Sequence, residues 1–155
     1  MVKGRRSEAL ALSRAGRDIS GETGPGFVGP LIQGLIGLIG ETPEEREAAL
    51  AGGEAQPAKG AIGHNHIWFR RHAIERALLD EDWNEAERQG DALLRRTAIE
   101  PLAYASCLST RARALARRGR GVATEADERE LEQALALAAN ADMRVDLLGA
   151  ALRRS

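Results

Sequence analysis

Residues 77–86 read Ala77-Leu78-Leu79-Asp80-Glu81-Asp82-Trp83-Asn84-Glu85-Ala86. An apolar helical pattern ends, three acids follow, and an aromatic residue begins the next pattern. An acidic side chain just ahead of a helix accepts hydrogen bonds from the free N–H groups of the first turn and sits on the positive end of the dipole. The stretch therefore predicts a helix ending near Leu79, a cap within Asp80-Glu81-Asp82 and a new helix from Trp83. Trp83 and Ala86 lie three apart, which puts both on one core-facing turn. A connection this short forces the two helices to lie antiparallel.

The helical period continues in both directions. Upstream, residues 64–80 carry Ile67, Ile74, Ala77 and Leu78 on one face. Thr42-Pro43-Glu44-Glu45 is another start signal: a hydroxyl cap, proline at the first helical position, then acids in the first turn. That helix runs through Ala48 and Leu50 towards Gly52-Gly53 and Pro57. Before it come an apolar helix over 25–39 and a helix over 4–17 that stops near Gly16 and Gly21. Downstream, 83–97 has its apolar positions at Trp83, Ala86, Gly90, Leu93 and Leu94. Glu100-Pro101 opens a helix through Tyr104, Leu108, Ala112 and Leu115, ending at Gly119-Arg120-Gly121. Thr124 opens the next, with Leu131, Leu135 and Ala138 inside, and a short last helix over 142–153 carries Val145, Leu148 and Leu152. Almost no stretch alternates with period two. The expectation is an all-α chain of about 7–8 helices in antiparallel hairpins. They pair as 4–17 with 25–39, 43–56 with 64–80, 83–97 with 100–118 and 124–139 with 142–153, or in the phase shifted by one helix.

Composition narrows the class. A chain of 155 residues suits one domain with a real core. Hydrophobic residues at 43% and charged residues at 29% exclude both a disordered polar chain and a membrane protein. The net charge of −1 gives no bulk attraction to nucleic acid or to a membrane surface. Cys107 is the single cysteine, so no intrachain disulfide forms; the cytoplasm is the natural compartment, and an apolar neighbourhood marks a buried, inert thiol. The run GPGFVGPLIQGLIGLIG at 24–40 is too short to cross about 30 Å of hydrocarbon, and Gln33 interrupts it. Gly34, Gly37 and Gly40 instead form a small-residue edge where a neighbouring backbone comes close. The run is not a nucleotide loop, since no Lys-Ser or Lys-Thr follows and no strand precedes.

The segment GHNHIWF, residues 63–69, raises the question of a metal site. His64, His66 and His72 are spaced two, six and eight apart, so no pair shares a helical turn as a chelate requires. The segment reads as a helix start, with Asn65 as cap and Trp68 and Phe69 packing the first turn. The acid groups Glu44-Glu45, Asp80-Glu81-Asp82 and Glu128-Glu130 sit at helix termini or on polar faces, where acids are ordinary, and give no acid–base pair. Arg111, Arg113, Arg117, Arg118 and Arg120 form a basic cluster without interleaved aromatics, which reads as a solvated face offset by the acids at 125–132. No catalytic, metal-binding or cofactor-binding residue is expected.

Residues 77–86 resemble the turn of a tetratricopeptide repeat, with 64–80 as the first helix of the repeat and 83–97 as the second. A second such turn runs from Ala114 to Gly121. Residues 63–101 and 111–121 together resemble the C-terminal tetratricopeptide-like region of bacterial adenylate/guanylate cyclase-type multidomain signalling ATPases. The likeness is carried, in order, by the His-Asn-aromatic segment, the acidic turn into Trp83, Glu100-Pro101 and the run RARALARRGRG, and it covers roughly residues 25–150. No Walker-type loop and no aspartate pair in a strand context is present, so the resemblance carries over no catalysis. It implies a stacked α-solenoid, a single helical-repeat domain over 1–155. Residues 1–22 would be an incomplete first repeat and 140–155 a capping helix. It also implies a cytoplasmic module that binds a protein or peptide without cofactor or membrane, with Trp68, Arg71 and Glu75 on the concave face. A solenoid that begins inside a repeat is a fragment, a remnant of a longer reading frame, or a homo-oligomer that covers its own end. The other readings are a purely structural or oligomerisation module and a nucleic-acid-associated regulator.

Overall fold

The start signals operate as local chemistry dictates. The Glu45 N–H donates to Thr42 Oγ1 at 3.2 Å, with Pro43 opening the helix. The Glu85 N–H donates to Asp82 Oδ1 at 3.0 Å, so Asp82 is the cap within the three-acid turn. Thr124 and Asp127 cap each other: the Thr124 N–H donates to Asp127 Oδ2 at 2.8 Å and the Asp127 N–H to Thr124 Oγ1 at 3.3 Å. Gly121 ends the preceding turn at φ +72°, the left-handed conformation that glycine adopts without strain.

The computed structural model describes residues 5–23, 28–56 and 65–140; the helix expected over 142–153 lies outside them, as does His64. All regular structure among the described residues is helical: α1 (Arg6–Thr23), α2 (Gly29–Ile39), α3 (Pro43–Ala55), α4 (Asn65–Leu79), α5 (Trp83–Arg96), α6 (Ala103–Gly119) and α7 (Glu125–Asn140). None of these helices is long and apolar enough to cross a membrane.

α1 does not stop at Gly16 or Gly21 but runs on to Thr23, whereas α3 passes through Gly52-Gly53 and ends at Ala55, within the 43–56 expected for it. Gly16 and Gly53 are packing slots. A Cβ at Gly16 would sit 3.1 Å from Ile32 Cδ1, and one at Gly53 would lie inside the Phe69 ring, 2.1 Å from Cε2. The small-residue edge of α2 behaves as expected: at Gly34 the Phe69 backbone approaches to 3.0 Å from where a Cβ would stand. α6 begins at Ala103, later than Glu100-Pro101, because Pro101 and Leu102 stay extended ahead of it.

The chain divides into two compact units, residues 2–73 and 74–155, and the division falls inside α4. In the first, α1 packs on α2 and α2 on α3. Contacts run in opposite chain order: Gly16 meets Ile32 while Arg6 donates to the Ile39 carbonyl, and Gln33 meets Gly52 while Gly37 meets Leu50. Each pair is therefore antiparallel. Its core holds Leu10, Ile36, Ile39 and Ala49. In the second unit, α5 packs on α6 and α6 on α7. The Trp83 ring lies over Gly119 and Gly90 faces Ser109 and Ala112, so α5 and α6 are antiparallel as well. Ala86, Leu93, Leu108 and Ala112 are buried there. α2 and α6 each pack on both chain neighbours within their unit, so neither hairpin phase is singled out.

Candidate functional site

α4 carries the residues that sequence reasoning singled out. Helices usually bury one stripe, yet nearly all of α4 is buried, including the polar Asn65, His66, Arg71, His72 and Glu75. Polar groups in such a helix must find partners or carry a cost of order 1–3 kcal/mol each. Asn65 is its first helical residue. It stands inside the helix rather than ahead of it, and its Nδ2 has no partner among the described residues. Phe69 fills the slot at Gly53, and Arg70 pairs with Glu54 through two contacts, one of them 2.9 Å. His72 packs against α2 at Gly34, and burial first, then the Arg71 charge, lowers its pKa to about 4. It is neutral at physiological pH.

Two residues of α4 are exposed, Trp68 at 39% in its first turn and Leu79 at 38% at its end. The Arg71 guanidinium carbon lies 5.4 Å from the Trp68 ring centroid, within cation–π range. A partly exposed indole with a guanidinium against it makes an amphipathic contact that can take an apolar side chain.

Glu75 lies one turn beyond Arg71 and has a different setting. It is 0% exposed, and Arg111 of α6 donates to its carboxylate at 2.5 and 3.3 Å. Of the three residues assigned to a binding face, Trp68 reaches solvent, Arg71 touches it through the ring, and Glu75 is enclosed. The same pair removes Arg111 from the basic cluster. Others of that cluster also meet acids: Arg117 pairs with Asp127 and Glu87, Arg118 with Glu128, and Arg120 with Glu87 and Asn84. Asp127 and Glu128 fall within the acidic segment 125–132. The Glu75–Arg111 pair has one sequence signal, two opposite charges set among buried apolar positions of separate helices. Nothing local says that they meet.

Cys107 is buried, and its Sγ–H points at the Ala134 carbonyl oxygen, 3.4 Å away; burial pushes the thiol pKa up, away from the reactive thiolate. Among the described residues no group of three or more His, Cys, Asp or Glu side chains could hold a metal ion. Comparison with protein-family models, curated proteins and solved structures finds no match to this chain.

Proposed function

We propose that this chain is a non-catalytic, tetratricopeptide-like repeat module that binds a protein or peptide partner and belongs to a bacterial, cytoplasmic signalling protein larger than itself. The motif order from His64 to Gly121 supports the family reading, and consecutive antiparallel packing supports the stacked-repeat reading. The observation that carries the binding role is Trp68. A large aromatic left partly exposed beside a cation, in the first turn of a helix most of whose residues are buried, is the kind of residue that anchors an interface. Trp68 supplies the anchor, the buried Arg71 holds the ring from beneath, and Glu75 supports the helix from inside.

The test is affinity capture from the native cell with the wild-type chain and with Trp68→Ala, after circular dichroism shows that the variant keeps its helicity. Loss of a specific captured protein supports the reading. An unchanged set of captured proteins on a folded variant sinks it. A purely structural module is the second reading, favoured by the enclosure of Glu75 and Arg111, which commits those charges to the scaffold.

A further inference from the structure

α7 closes one side of α6, and little of its hold there is apolar. An amphipathic helix on a core buries three to four apolar residues over every two turns. α7 has sixteen residues, yet its buried apolar side chains are Leu131 and Ala138, with Ala134 and Leu135 half-buried. Its third buried residue is a carboxylate, Asp127. Charge supplies the rest of the hold. The acidic first turn of α7 meets the basic last turn of α6. Arg117 donates to Asp127 at 2.5 Å, and Arg118 Nε donates to Glu128 at 3.0 Å. Both pairs stand beside the turn that joins the two helices. Further along, α7 lies over Cys107, whose Sγ is 3.4 Å from the Ala134 carbonyl oxygen.

These pairs can part without stranding a charge. Arg117 Nε lies 3.6 Å from Glu87 of α5, so the guanidinium keeps an acid when Asp127 leaves. Asp127 keeps the Thr124 N–H at 2.8 Å and the Thr124 hydroxyl at 2.7 Å, both within the cap of α7 itself. The Arg118 and Glu128 side chains are 51% and 40% exposed, so water takes them over. The enclosed Glu75–Arg111 pair has no such exchange open to it. Opening also leaves α5 on α6. That contact uses Ser109 and Ala112 against Gly90, and Gly119 against Trp83, on a different side of α6 from Cys107. Elements with few buried apolar contacts open at the lowest free energies. We propose that α7 is a lid: it swings off α6 as a unit while α5 and α6 stay packed, and its two arginine–acid pairs set how often it opens and bares Cys107.

Cys107 is the single cysteine of the chain and serves as the reporter. Alkylation of the purified full chain by iodoacetamide, read by mass spectrometry, follows the opening without any partner, so its outcome is independent of the Trp68 reading. Each rate is taken relative to the urea-unfolded chain at the same salt. Labelling should be flat at low urea, where a local opening exposes little surface, and turn steep only near the unfolding transition. NaCl at about 1 M shortens the screening length to about 3 Å and should speed labelling. Arg118→Glu should speed it about fivefold or more, and adding Glu128→Arg should bring the slow rate back. Labelling that climbs with urea from the first addition, along the line set by global unfolding, overturns the lid, since Cys107 is then reached only when its surroundings unfold. Labelling that is flat in urea but indifferent to salt and to Arg118→Glu overturns the charge latch. Failure of Glu128→Arg to slow the Arg118→Glu chain overturns the assigned pairing.

Discussion

Removing the Glu75 charge from the buried Glu75–Arg111 pair takes away the carboxylate to which the enclosed Arg111 guanidinium donates. Glu75→Gln should therefore cost about 3–5 kcal/mol, whereas replacing both residues by leucine and methionine should come back close to wild type. Urea unfolding of the two variants separates a buried pair from a surface contact. His72 supplies a pH dependence of definite sign. Its folded pKa, about 4, lies below the ordinary 6.5. Between these values the unfolded chain takes up a proton that the folded chain refuses. Stability is then complete above about pH 6.5 and falls as pH drops towards 4, by about 3 kcal/mol in all. Denaturant midpoints at pH 7.5 and 5 should differ for the wild type and draw together in His72→Leu. Neither residue could be assigned these roles from its neighbours in the chain. Glu75 falls among apolar positions of α4, and its partner lies 36 residues away. Trp68 was legible as a feature of the segment, but whether its ring faces water depends on packing that spacing does not encode.

The helices were legible where the signal was chemical and local. Thr42, Asp82 and Thr124 announce their caps because the accepting oxygen and the N–H it serves lie within three residues of each other. Glycine is ambiguous for the opposite reason: the same residue ends one helix and admits a neighbour into another. Gly121 ends a turn at positive φ, whereas Gly53 sits mid-helix to make room for Phe69 from another element. Substitution separates the two uses. Gly21 has nothing within 4 Å of a new Cβ, so Gly21→Ala should stabilise by about 0.5–1 kcal/mol through helix propensity and a more restricted unfolded chain. Gly53→Ala gains the same propensity but drives a methyl group into the Phe69 ring, at the cost of overpacking, about 1–3 kcal/mol. Thermal unfolding should move in opposite directions for the two variants.

On the scale of the molecule, charge is nearly balanced, with 22 basic against 23 acidic residues. Several of the arginines that could have formed a basic face are spent on acids of α5 and α7. A surface compensated in this way offers little for counterion-releasing attraction to nucleic acid. On the proposed reading, recognition then falls to a few shaped contacts, Trp68 among them. Repeat modules depend on their neighbours: each helix pair buries a face against the next, and the terminal pair needs a polar outer side, a further repeat or another copy. If the chain works as the tail of a longer signalling protein, neighbouring repeats of that protein supply such a cover; if it works alone, it must do without them. Tagging the chromosomal C-terminus and blotting under denaturing conditions distinguishes these directly. The signalling-tail reading expects a band well above the 16.7 kDa of this sequence. A band at that mass would remove the larger protein from the functional reading and leave a module that acts by itself.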